Sequence, residues 1–248
     1  LKGQLGLYVD AVPTWVGGRK NMVDAKKAEK PLIPVEDKLP VVLELVEILK
    51  AEILKVEILK IDLDTQAAMV EAPGEGITGA AAEEETTKIL KFSGGRIVFN
   101  DSISLPVRPM IGVIGCAPDE PISTGKVGDH GGNMDCKRIG EGATLYLPVN
   151  VEGALLAMGD LHALMGDGEV FQYGLETSGE VTVRVSVIKN AGVKQPTLYQ
   201  DGKAMSFAYN GNNKLSEICN SLGERVAFEY DASGYLTSIK RDNQPTLT

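Results

Sequence analysis

Apolar and polar residues alternate with a period of two in several short runs of this chain, the pattern of strands that bury one face. The stretch Val56 to Leu63 alternates from Ile58 or Leu59 onward and predicts a strand. Lys88–Phe92, Arg96–Phe99, Ile111–Ile114, Thr144–Val149 and Val181–Ile188 predict further strands, with Gly clusters between them. Residues 65–95 are rich in Gly, Ala and Glu with little period and predict an excursion. The whole predicts a mainly β protein, a β-sandwich with long Gly-rich loops.

Upstream the pattern is less regular. Glu-Ile-Leu-Lys occurs at Glu47, Glu52 and Glu57, a period of five that fits neither helix nor strand. Val41 to Leu54 is therefore open to helix or strand, and so exact a repeat points to duplication or engineering. Residues 1–50 form an unassigned lead-in. Trp15-Val16-Gly17-Gly18 suggests a turn, Lys20 to Lys30 a short helix, and Pro31, Pro34 and Pro40 end any helix there. Near the C-terminus a unit repeats. Phe207, Tyr209, Asn210, Leu215 and Ile218 recur 21 residues on as Phe228, Tyr230, Asp231, Leu236 and Ile239. Each unit reads strand–turn–strand, so two β-hairpins are expected from about 205 to 240. The division expected is 1–50 lead-in, 51–192 core, and 193–248 hairpin segment.

Composition narrows the function classes. The 248 residues include 28 Gly but only 5% aromatics, which suits many tight turns. The formal charge of −9 makes nucleic acid a poor partner. No apolar run reaches the roughly 18 residues of a membrane helix, and no secretory signal opens the sequence. The first residue is Leu, which suggests a mature form or a piece of a longer chain. Cys116, Cys136 and Cys219 lack metal-pair spacing; they suggest a reducing, cytoplasmic setting, with Cys116 and Cys136 read as small hydrophobes rather than nucleophiles. Thr124-Gly125-Lys126 lacks the leading glycines of a phosphate loop and reads as a turn.

The chemistry concentrates around the two histidines, His130 and His162. The first lies in Gly128-Asp129-His130-Gly131-Gly132-Asn133-Met134-Asp135, the second in Gly159-Asp160-Leu161-His162 followed by Met165-Gly166-Asp167-Gly168-Glu169. Imidazole among carboxylates in Gly-rich loops suits either a metal site or a general acid–base pair.

These blocks, with Val107-Arg108-Pro109-Met110-Ile111-Gly112-Val113-Ile114-Gly115 and Glu141-Gly142-Ala143-Thr144-Leu145-Tyr146-Leu147-Pro148, resemble the acetamidase/formamidase family from about 51 to 190. The resemblance implies hydrolysis of small amides to a carboxylate and ammonia, on a β-sandwich-containing fold that forms dimers or larger homo-oligomers. The C-terminal units, Tyr209-Asn210-Gly211 and Tyr230-Asp231 through Gly234-Tyr235-Leu236-Thr237, resemble YD repeats of RHS-type proteins, so the chain reads as a chimera or truncated fusion.

Amide hydrolysis needs an activated water, a stabilised oxyanion and a proton for the leaving ammonia. His130, Asp135, Asp160 and His162 are the expected metal or polar-site groups, converging on one divalent cation, zinc or calcium. Glu169 is the candidate general base and Asn133 the group that orients the amide. Asp167 is either a further catalytic candidate or a plain turn residue. The competing readings are a non-catalytic structural or binding module and an engineered fusion on an amidase-like scaffold. The expected partner is a small amide, with no nucleic acid and no membrane.

Overall fold

The computed structural model describes residues 3–9, 41–43, 50–189, 193–212 and 214–241. The turn expected at 15–18, the helix at 20–30 and residues 44–49 lie outside them. In chain order the strands are β1 (Gly3–Val9), β2 (Val41–Leu43), β3 (Ile53–Leu63), β4 (Gln66–Glu71), β5 (Thr86–Ser93), β6 (Arg96–Val98), β7 (Ser104–Pro106), β8 (Met110–Gly115), β9 (Val127–Gly128), β10 (Gly131–Asn133), β11 (Thr144–Pro148), β12 (Leu156–His162), β13 (Glu176–Thr177), β14 (Gly179–Ile188), β15 (Thr197–Gln200), β16 (Lys203–Tyr209), β17 (Leu215–Asn220), β18 (Arg225–Tyr230) and β19 (Leu236–Arg241). A 3-10 turn, Asp167–Glu169, is the only helical element among the described residues. The fold is mainly β, as the alternation predicts.

Two antiparallel sheets carry these strands. One runs β1-β14-β3-β11-β15-β16-β17-β18-β19. The other runs β7-β6-β5-β4-β13-β12-β8-β10-β9, with β2 pairing β12. Leu54, Val56, Ile58, Leu145, Leu147, Val181 and Val183 of the first sheet share one core with Ile111, Ile114, Leu156, Met158 and Leu161 of the second. Each such side chain contributes about 2 kcal/mol by leaving water.

The five-residue repeat is accommodated by a bulge. An odd period turns the alternation over once per repeat. Leu54, Val56 and Ile58 point into the core, and so does Ile61, on the other parity. Register against β14 shifts between Thr182 and Val183, which leaves Leu59 as the extra residue and restores the inward phase. Of the described residues in the stretch left open to helix or strand, Val41–Leu43 and those from Ile53 on are strand, with a turn at Lys50 and Ala51.

The C-terminal hairpins continue the first sheet. Phe207 pairs Ile218 and Tyr209 pairs Leu215. Phe228 pairs Ile239 and Tyr230 pairs Leu236, the same register 21 residues on, with a bulge at the same place. Phe207 is buried in the main core, and Met205, Tyr209, Leu215 and Ile218 pack on it. β4 and β12 carry no clear alternation, so the sequence predicts neither.

Candidate active site

The second sheet gathers the acidic groups around His162, which ends β12 and is not in a loop as expected. The cause of the irregular β12 pattern is Asp160, whose φ of 60 breaks the strand's alternation. Register places His162 opposite Glu176 on β13 and opposite Met110 on β8. Asp135 follows β10, and its amide, like that of Met134, donates to the Gly112 carbonyl on β8. Glu169 closes the 3-10 turn between β12 and β13.

His162 Nε2 lies 3.3 Å from Glu176 Oε1, 3.4 Å from Asp160 Oδ1 and 3.7 Å from Glu169 Oε1. Two donor sets share this imidazole, Asp135–His162–Glu169 and Asp160–His162–Glu176, with the donor atoms of each set within 4.8 Å of one another. The His162 side chain is 0% exposed and Glu176 5%, while Asp160 and Glu169 keep 15% and 17%. Asp135 Oδ1, Asp160 Oδ1, Glu176 Oε2 and both ring nitrogens of His162 are buried without a hydrogen-bond partner.

Glycines allow this crowding. A Cβ on Gly112 would stand 2.6 Å from Asp160 Oδ2 and 2.8 Å from Asp135 Oδ1. On Gly174 it would meet His162 Nδ1 at 2.5 Å and Cγ at 2.6 Å, so this glycine covers the Nδ1 side of the ring. The Gly174 amide also donates to Glu176 Oε1 at 3.2 Å.

The electrostatics follow from burial and like charge. Burial raises the Asp135 carboxyl above its ordinary range, and Asp160 adds to this. Burial also raises Glu169, with Asp135 adding, and Glu176, where His162 opposes it. Burial disfavours the imidazolium of His162, but Glu176 and Asp160 outweigh it and hold the ring well above its usual value. Four carboxylates on one imidazole leave a surplus of negative charge that a divalent cation would neutralise. The donor set, one imidazole nitrogen and carboxylate oxygens with orphaned buried atoms, suits such an ion.

Of the residues expected from the sequence, Asp135, Asp160, His162 and Glu169 come together. Asn133 lies beside them, near enough to Asp135 to lower its carboxyl against the effect of burial. His130 does not join them. Its carbonyl accepts from the Cys116 amide at 3.0 Å, whereas His162 is level with Met110. His130 packs instead on Gly132, in the turn between β9 and β10. His130 is in neither donor set around His162. Asp167 is in neither donor set; it is 82% exposed and pairs with Lys137 at 2.6 Å, as a turn residue would. Cys116 is buried and its thiol is pushed up to about 12 by that burial, and burial also raises Cys136, so neither suits a thiolate nucleophile. Glu176 was not foreseen. It lies outside every strand the alternation predicts, and a lone carboxylate between Leu175 and Thr177 is its mark in the sequence.

Residues 122–217 match the Acetamidase/Formamidase family model. A formamidase from Methylophilus methylotrophus is 42% identical over 73 residues, 27% of this chain and 18% of that one. An acetamidase from Mycolicibacterium smegmatis is 38% identical over 80 residues, 30% of this chain and 20% of that one. The crystal structure of an acetamidase from Bacillus halodurans superposes with a TM-score of 0.64 at 45% identity, covering 66% of this chain and 56% of that one. The chain thus spans little more than half of the solved acetamidase. In sequence and in fold the chain is thus similar to acetamidases and formamidases over part of their length.

Proposed function

We propose that the chain hydrolyses small aliphatic amides of the formamide and acetamide type to a carboxylate and ammonia. One observation carries the reading: a fully buried imidazole ringed by four carboxylates, at positions within the region that resembles named amidases. Asp135, Asp160, His162 and Glu176 would hold a divalent cation, zinc or calcium. Bound there, the cation supplies a Lewis acid that polarises the amide carbonyl.

The chain's own groups supply the proton chemistry. Glu169 and Asp160 keep 17% and 15% exposure against 5% for Glu176, and Glu169 stands farther from His162 Nε2, at 3.7 Å, which supports it as the group that meets water and substrate. It accepts a proton from the water that adds to the carbonyl carbon. It then returns that proton to the nitrogen as the C–N bond breaks and ammonia leaves. Asn133, next to Asp135, offers donor and acceptor to the amide.

Three wider features belong to the same proposal. Leu222, Tyr235 and Leu236 stand exposed on the C-terminal hairpins, which supports association into a homodimer or larger homo-oligomer. Three unpaired cysteines support a reducing, cytoplasmic setting. The shared register of the two hairpins supports reading 193–248 as a YD-repeat-like appendage on a core of 51–192. No helix among the described residues is long and apolar enough to cross a membrane.

The test is ammonia release from formamide and acetamide before and after chelation and re-addition of Zn²⁺ or Ca²⁺. Release that disappears and returns is expected. Metal-loaded protein that releases no ammonia from either amide would reject the proposal and favour the binding-module reading, which the partial coverage of the solved acetamidase supports.

A further inference from the structure

The Gly-, Ala- and Glu-rich excursion has a structural task that the reaction outlined above leaves unexplained. Residues 72–82, between β4 and β5, fold back on themselves: the Gly74 amide donates to the Gly79 carbonyl at 2.9 Å and the Ala81 amide to the Thr78 carbonyl at 2.8 Å. One side of this loop is pressed onto the segment that begins at Glu169. The Ile77 amide donates to the Val170 carbonyl at 2.8 Å. The Tyr173 hydroxyl donates to Glu75 Oε2. Gly76, at φ 61, sits so close to Phe171 that an added Cβ would strike its carbonyl group and lie 2.8 Å from its Cα. Tyr173 also packs on buried Val70 at the base of the loop.

The segment held in this way is itself under strain. Glu169 and Gln172 occupy left-handed backbone at φ 45 and φ 73, with Gly168 at φ 70 inside the 3-10 turn. Non-glycine residues hold such conformations only where their surroundings impose them. The segment's own bonds are few: Glu169 N to Gly166 O at 3.3 Å and Gln172 N to Glu169 O at 2.7 Å.

We propose that the 72–82 loop is a positioning clamp, with Gly76 and Glu75 as its contact residues, that fixes the 169–173 segment and so sets Glu169 against the His162 group. This rests on the amidase reading for the role of Glu169, while the clamping itself does not. A clamp from outside the group explains how a stretch of small residues is tied to a catalytic carboxylate. It predicts that weakening the contact lowers the chemical step more than substrate binding, since a misplacement of ~1 Å in a reacting group costs up to about 100-fold in rate.

The experiment compares wild type with Gly76→Ala, Glu75→Ala and Glu75→Gln. Amide hydrogen exchange at residues 169–173 and kcat and KM for acetamide are measured on each metal-loaded protein. In Gly76→Ala and Glu75→Ala, exchange is expected to rise on the order of tenfold. In both, kcat is expected to fall by about tenfold or more with KM within roughly threefold. Glu75→Gln keeps an acceptor for the tyrosine hydroxyl and should restore both values. Unchanged exchange in both weakened variants would overturn the clamp. So would faster exchange with unchanged kcat, because Glu169 would then need no positioning. A wild-type protein without amidase activity would reject the proposed function, and the exchange data would still decide whether the loop clamps the segment.

Discussion

Asp135, Asp160 and Glu169 all occupy left-handed backbone, at φ 41, 60 and 45. Each such residue costs on the order of 1–3 kcal/mol, and their gathering around one imidazole marks strain kept for the site. Asp160→Gly should therefore be more stable than Asp160→Ala by about 1 kcal/mol, read by denaturant unfolding, although both lose the carboxylate. Equal stabilities would remove strain from the account. Gly112→Ala should weaken Zn²⁺ binding at least on the order of tenfold in titration calorimetry, since its Cβ would displace two carboxylates, and equal affinity would contradict the packing. His130 gives a pH test away from the ligands. Burial holds its pKa below the ordinary 6.5, with Asp129 opposing. Above 6.5 the ring is neutral in both folded and unfolded chains. As pH falls below 6.5 the unfolded chain takes up the proton first, so folded stability is lost toward the lower folded value. His130→Gln should lack this loss, so its unfolding free energy should fall less than wild type's between about pH 7 and about pH 5. Parallel pH curves would show that His130 is not the group involved.

At the scale of elements, one device repeats in the hairpin segment. Asn210 Oδ1 accepts from the amides of Asn212 and Lys214, Asn220 Oδ1 from Leu222 and Glu224, and Asp231 Oδ1 from Ser233 and Tyr235. The Asx side chain thus closes each turn on the second and fourth amides that follow. Asn220→Ala and Asp231→Ala should each cost about 1 kcal/mol in thermal or denaturant unfolding. A loss near zero would show that strand pairing alone fixes the turns. These hairpins were legible because alternation, turn residues and the 21-residue repeat agree. β11 and β14 were legible because their inward residues keep one phase. β12 was not, because Gly159 and the left-handed Asp160 interrupt the alternation at the site itself. The two loops rich in glycine and acid drew notice to Asp135, Asp160, His162 and Glu169. Sequence separation could not tell that β8 holds His130 and His162 at opposite levels, nor that pairing with β12 would bring Glu176 inside.

For the molecule as a whole, the site lies in the second sheet while the first supplies the opposing face of the core, so cation binding and global stability are linked. A cation that binds only the folded chain should raise stability by about 2.7 kcal/mol at 100 times its Kd. For a chain of this size that is about 5–10 °C in melting temperature. Chelated and Zn²⁺-loaded protein with the same melting temperature would contradict a buried site. In the proposed reaction the group around His162 performs amide hydrolysis with Glu169 as its proton carrier. The most direct measurement is kcat for acetamide in the metal-loaded wild type and in Glu169→Gln, with metal content determined in both. Ammonia release by wild type is expected, with a kcat lower by roughly 100-fold or more in the variant and metal retained, as for loss of a general base. Equal kcat in the two proteins would contradict it.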